Sequence, residues 1–153
     1  MKEIEKPQYS FEASPDALVF EFDSVSENKI IRKVVVYEEI EGHDDLFQLG
    51  FGDLTLDGRI DFLAVSRNKD RDKILATVAQ TMVIFFENYP NKLLYFRGST
   101  STRTRLYRSL ISKFIEIIEL SFKVVGLKAD GSPEKFIKNQ DYTAFIIQEY
   151  EKK

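Results

Sequence analysis

The sequence predicts an α+β fold: a largely antiparallel sheet, opened by an N-terminal β-meander, with two helices packed on one face. Three observations predict it. The first half holds short runs of β-branched and aromatic residues divided by turn residues. The apolar period then lengthens from two to about 3.6 over residues 70–88, and again over residues 102–120. Short apolar runs return between and after those two segments.

The elements follow in order. "ALVFEF" (17–22) and "KIIRKVVVYEEI" (29–40) read as strands, with "SENK" as the turn between them. "GHDD" (42–45) is a second turn and "LFQLGFGD" (46–53) a third strand. In "LTLDGRIDF" (54–62), Asp57 and Gly58 sit between alternating Leu54, Leu56, Ile60 and Phe62. That frame predicts a type I′ hairpin, in which both central residues take positive φ. Ile74, Leu75, Val78, Met82, Phe85 and Phe86 then recur at helical spacing, with Asn68 or Asp70 as cap and Pro90 as the stop. "KLLYFRG" (92–98) is a strand. A second helix runs from about Thr102 to Leu120, with Leu106, Leu110, Ile111, Phe114, Ile117 and Ile118 on one broad apolar face. "FKVVGL" (122–127) is a strand, "KADGSPEK" a loop or single turn, and "YTAFIIQEY" (142–150) a final strand. The strand–helix–strand portion at 92–127 is expected to add a parallel pair.

The length, 153 residues, predicts a single domain over 1–153. Hydrophobic residues make up 43%, enough for a core, and 31% are charged, which is ordinary for a soluble surface. A net charge of −3 argues against a wholly cationic nucleic-acid-binding surface but allows a local basic patch. With no cysteine, disulfides, thiolate nucleophiles and thiolate-held metals are excluded. The start "MKEIEKPQYS" lacks the apolar stretch of a secretory leader, and "MVIFF" is far too short to span a bilayer. A cytoplasmic protein without membrane association, cofactor or metal is the expectation.

One stretch carries the candidate chemistry. "GSTSTRTRLYR" (98–108) places four hydroxyl residues, Ser99 to Thr102, before Arg103, Arg105 and Arg108 at the start of the second helix. The free N–H groups of a helix start already carry partial positive charge, so cations there cost about 0.3–1 kcal/mol each unless an anion is near. Helical spacing turns Arg103 toward the sheet with Tyr107, Leu110 and Phe114, and puts Arg105 and Arg108 on the other side. Two readings stay open. Arg103 pairs with Asp53 or Asp61 in a structural ion-pair network, or Arg97, Gly98, Ser99, Thr100, Arg103, Arg105, Tyr107 and Arg108 bind a phosphate or carboxylate. In the second reading the ligand is a nucleotide or a nucleic acid. Its catalytic form is a toxin-like phosphodiester-cleaving or nucleotidyl-modifying enzyme, with Tyr95 joining the set. The alternative class is a protein-interaction module, neutralising or scaffolding a partner or forming a homodimer through an exposed apolar or edge-strand surface such as the 29–40 strand or the C-terminal strand.

Other patterns are weaker. Gly98 has no second glycine followed by Lys and Ser/Thr, so the stretch is no phosphate loop of the Walker type. "GFG" (50–52) lacks the third glycine and following helix of a dinucleotide fingerprint. "DLTLDGRIDFLA" (53–64) matches several calcium-loop positions, but Ala64 stands where a bidentate glutamate is needed. His43, the only histidine, lies between charged turn residues and reads as a solvated loop residue.

The blocks "FGD", "DRDKILATVAQT", "NYP", "GSTSTRTRLYR" and "YTAFII" resemble those of a family of small uncharacterised bacterial proteins, over roughly residues 45–150. The resemblance implies a stand-alone bacterial domain with no established activity. It also implies that Asp53, Gly98, Ser99, Thr100, Arg103, Arg105, Leu106 and Tyr107 belong to the family pattern. The chain departs from that pattern at Arg67, Asn68, Lys69 and Asp70, where the family usually reads Asn-Asn-Gly-Asp.

Overall fold

Alternation of apolar and polar residues builds the first strands of the computed structural model, which describes residues 7–27, 29–61, 70–97 and 101–150. The strands are β1 (Glu12–Ala13), β2 (Val19–Val25), β3 (Ile30–Glu39), β4 (Leu46–Leu54), β5 (Ile60–Asp61), β6 (Leu93–Phe96), β7 (Phe122–Leu127), β8 (Pro133–Lys135) and β9 (Ala144–Glu149). The helices are α1 (Arg71–Asn88) and α2 (Ser101–Ile118). The fold is α+β with a nine-stranded, mostly antiparallel sheet. The chain divides into two compact units. Unit 1 is Met1–Glu38 with Leu49–Asn88, and unit 2 is Glu39–Gln48 with Tyr89–Lys153.

In unit 1 the strand order is β1, β2, β3, β4, with β5 paired to the end of β4. Phe20 lies across from Val35 and Phe22 from Lys33. Phe20, Phe22, Val35 and Tyr37 are fully buried on the face that α1 covers. There the Tyr37 ring stacks on Phe85 of α1 at 4.5 Å. Its hydroxyl meets Thr81 Oγ1 at 2.7 Å, and Thr81 gives its own proton to the Val78 carbonyl, so Tyr37 is the donor. Burial pushes the Tyr37 phenol far above its ordinary pKa, so it stays a neutral donor. Asp70 stands directly before α1 and its carbonyl accepts the Ile74 N–H, as a helix start requires. Asn68, the other cap named from the sequence, lies outside the described residues.

The β4–β5 turn corrects the type I′ expectation. Gly58 N–H bonds the Thr55 carbonyl and Thr55 N–H bonds Arg59, and only Gly58 takes positive φ. This is a three-residue loop, a type I turn closed by a left-handed glycine. The Asp57 side chain explains the preference. It accepts from the Thr55 hydroxyl and the Arg59 N–H, which holds Asp57 at negative φ and keeps its carboxyl below the usual range.

In unit 2 the order is β4 (residues 46–48), β6, β9, β7, β8. The parallel pair expected within 92–127 is absent. The C-terminal β9 lies between β6 and β7, antiparallel to both, and the parallel partner of β6 is β4. The inward residues are Leu94 and Phe96 of β6, Phe122 and Val124 of β7, and Phe145 and Ile147 of β9. Tyr107 of α2 meets Phe96 edge-on at 5.7 Å, and Ile111, Ile115 and Ile118 continue the buried stripe of the helix. Part of "KADGSPEK" is strand β8, paired to β7, rather than loop.

Candidate functional site

The start of α2 is built by unit 2 alone. Strand β6 alternates, so Leu94 and Phe96 turn inward, and Arg97, next in the chain, is exposed. Residues 98–100, including the candidates Gly98, Ser99 and Thr100, lie outside the described residues, as does the side chain of Arg103. The helix then sets Thr104, Ile111, Ile115 and Ile118 inward at steps of three, four and seven. Arg105 is exposed, and the first turn holds no acidic residue. Among the described residues, neither Arg97 nor Arg105 has an ion-pair partner.

Arg108 departs from the exposed position expected of it. It lies four residues after Thr104 and three before Ile111, on the inward stripe, and its side chain is 23% exposed. It reaches out along the helix flank to donate to Asp141 Oδ1 at 2.5 Å and to the Gln140 carbonyl at 3.1 Å. This binds the helix to the segment before β9. Tyr107, also a candidate, packs on Phe96 instead of standing free.

The carboxylates named as partners for Arg103 are placed by unit 1. Asp53 and Asp61 are cross-strand neighbours at the β4–β5 pair. Among the described residues the cation on Asp53 is Lys33, whose ammonium donates to Asp53 Oδ1 and lies 5.8 Å from the Phe51 ring centroid. The Lys33 side chain is 2% exposed and that of Asp53 is 20% exposed. The sequence reading missed Lys33. The signal is its phase: Ile31, Lys33, Val35 and Tyr37 share one face of β3, just as Phe47, Leu49, Phe51 and Asp53 share one face of β4.

Two more polar groupings were missed. Tyr142 donates to Glu134 Oε1 at 2.7 Å and accepts the Ile137 N–H at 3.0 Å, while Lys128 pairs with Glu134 Oε2 at 3.0 Å. The bond from Tyr142, then that from Lys128, holds the Glu134 carboxyl below its ordinary value, and burial foremost, then the Glu134 bond, raises the Tyr142 phenol. In unit 1, Ser24 and Tyr9 both donate to Asp70 Oδ2 at 2.5 Å. His43 lies exposed in the β3–β4 connection. Among the described residues no three His, Cys, Asp or Glu side chains gather where they could hold a metal ion. Also among them, no helix is long and apolar enough to cross a membrane.

The edge-strand version of an interaction module meets a correction here. Strand β3 lies between β2 and β4, and β9 lies between β6 and β7, so neither named strand is an edge. The outermost strands of the order are β1, of two residues, and β8, which opens on Pro133. Short strands and proline are how sheets blunt their edges.

The class these features define is an α+β protein built on a mostly antiparallel sheet. More particularly, residues 5–150 match the model of a family of unknown function, DUF6934, and the chain belongs to that family. No curated protein and no solved structure matches it.

Proposed function

We propose that the start of α2 binds the phosphate of a nucleotide or nucleic acid, in a single cytoplasmic domain whose two helices cover one face of the sheet. One observation carries this reading. Arg97 and Arg105 are exposed beside a helix start without an acidic first turn, and no carboxylate pairs with either among the described residues. Such a start holds free N–H groups and partial positive charge, to which two guanidinium forks add. Gly98, Ser99, Thr100 and Arg103 complete the proposed set by their place in the chain. Arg108 and Tyr107 support it from behind, through Asp141 and Phe96. A toxin-like phosphodiester-cleaving activity is the catalytic form of this reading, with Arg105 stabilising charge.

The test is binding of a labelled single-stranded oligonucleotide, and of ATP, followed by fluorescence anisotropy and calorimetry. Affinity should fall as salt rises. Arg105→Glu should weaken it at least tenfold with an unchanged melting temperature. An unchanged affinity in that variant, or no binding at low salt, would overturn the reading. Native mass spectrometry of the same sample reads out a homodimer or a retained protein, the outcome that favours an interaction module.

A further inference from the structure

In unit 1, groups from two separated stretches, β2 and residues 70–77, close around one tyrosine. Tyr9 belongs to the segment Pro7–Phe11, which forms no strand. Its ring stacks on Phe22 of β2, with centroids 5.7 Å apart and planes at 20°. The ammonium of Lys73, on α1, lies 4.2 Å from the same ring centroid, within cation–π range. The hydroxyl donates to Asp70 Oδ2 at 2.5 Å and accepts the Val25 N–H at 3.2 Å. Even the backbone is read, since the Tyr9 N–H donates to Thr77 Oγ1 at 2.8 Å. Burial first, and then the bond to Asp70, raises the phenol pKa, so the hydroxyl remains a donor.

The partners of the ring are fixed independently of it. Phe22, Ser24 and Val25 lie on β2, whose register with β3 runs unbroken from Val19 to Val25. Asp70 is held by the start of α1 and by the hydroxyl of Ser24, which is fully buried. Thr77 is likewise fully buried and gives its own proton to the Lys73 carbonyl, so its oxygen is presented as an acceptor. An aromatic floor, a cation over the ring, a carboxylate and an N–H at the far end, and an acceptor for a backbone amide stand together on rigid elements. The side chain that fills them comes from a segment outside those elements. Sites that fix orientation with a few convergent polar groups on a rigid frame have this anatomy.

We propose that this seat is a recognition site for a tyrosyl group, and that Tyr9 is its built-in, displaceable occupant. When the N-terminal segment leaves, the seat takes a phenol ring by stacking on Phe22, by the Lys73 ammonium and by the Asp70 carboxylate. A ligand with a backbone amide gains the Thr77 contact as well. The seat is separate from the start of α2, and the two proposals stand or fall apart.

The test uses the full chain. Tyr9→Ala should bind p-cresol saturably in calorimetry, and toluene, which lacks the hydroxyl, at least tenfold more weakly. Wild-type protein should bind p-cresol at least tenfold more weakly than Tyr9→Ala, because its own tyrosine competes. N-acetyltyrosinamide binding tighter than p-cresol identifies a peptide tyrosine as the ligand, and equal affinities identify a free phenol. In Tyr9→Ala with Asp70→Asn, the preference for p-cresol over toluene should fall below twofold. Equal binding of p-cresol and toluene by folded Tyr9→Ala, or binding of neither, would overturn the proposal. If that variant does not fold, Tyr9→Phe and hydrogen exchange decide. The Val25 amide should exchange at least tenfold faster with the α1 amides unchanged, whereas acceleration of both together would make Tyr9 plain core.

Discussion

In unit 1 the Lys33–Asp53 ion pair lies on the inward faces of β3 and β4, whereas in unit 2 the pairs Arg108–Asp141 and Lys128–Glu134 end on connecting segments and the short outer strand β8. Lys33 is 2% exposed in its side chain, and Asp141 is 99% exposed in its own. Water can take the place of the partner at Arg108–Asp141 and Lys128–Glu134, whereas at Lys33 it cannot reach the ammonium. The same kind of contact therefore has unequal consequences: a lost partner strands a charge in one unit and releases a loop in the other.

The largest effect should come from Asp53→Ala, which leaves the Lys33 ammonium buried without its carboxylate. A loss of about 4 kcal/mol in urea unfolding is expected. Lys33→Met should cost less, because Asp53 keeps some access to water and methionine fills the lysine's volume. Equal and small losses in both would break the contrast between the units. Next comes Gly126→Ala in unit 2. A Cβ at Gly126 would overlap the Tyr142 ring, so the ring or β7 must shift. Overpacking of this kind costs about 2 kcal/mol, and Tyr142→Ala in the same chain should relieve part of the strain.

Tyr142→Phe should cost about 1 kcal/mol, since it removes the donor to Glu134. It also alters the acid limb of stability. The Glu134 carboxyl is held below its ordinary value of 4.5, so its contribution is complete above that pH and is lost as pH falls through the lower folded value. The melting temperature of Tyr142→Phe should accordingly fall less steeply than that of the wild type below pH 4.5. The smallest effect is expected from Arg108→Ala. Its partner Asp141 is open to solvent, so the loss should stay below about 1 kcal/mol. It should appear as faster hydrogen exchange in residues 140–143 before it appears in global unfolding. A loss as large as that of Asp53→Ala would show that α2 depends on this tie and would erase the distinction drawn above.

Local chemistry made much of the fold legible. Strand β3 announces itself because β-branched residues crowd 30–37, β2 because Val19, Phe20 and Phe22 stand among polar residues bounded by turn residues, and α1 because its apolar residues keep helical spacing up to Pro90. Strand β8 was hidden because a charged outer strand opening on proline has the composition of a loop. The parallel partner of β6 could not be read from neighbours in sequence, because β9 comes from the C-terminal end to part β6 from β7. Of the candidate site, the exposure of Arg105 followed from helical spacing, but the tie from Arg108 to Asp141 spans 33 positions and leaves no periodic trace. The seat of Tyr9 was illegible for the same reason, since 61 positions separate the phenol from Asp70. Lys33 was the exception. Its phase on β3 was in plain view, and only the habit of reading lysine as surface concealed it.

The overlap between position 126 and the ring of Tyr142 also reaches into descent. While the tyrosine stays, a side chain at 126 forces the ring or β7 to shift, so a change of the glycine alone carries a cost. A lineage that shortens residue 142 frees residue 126 to vary, and one that enlarges residue 126 first must pass through a strained intermediate. Among relatives of this chain the two positions should then change together, with the loss of the ring coming before the gain of the side chain.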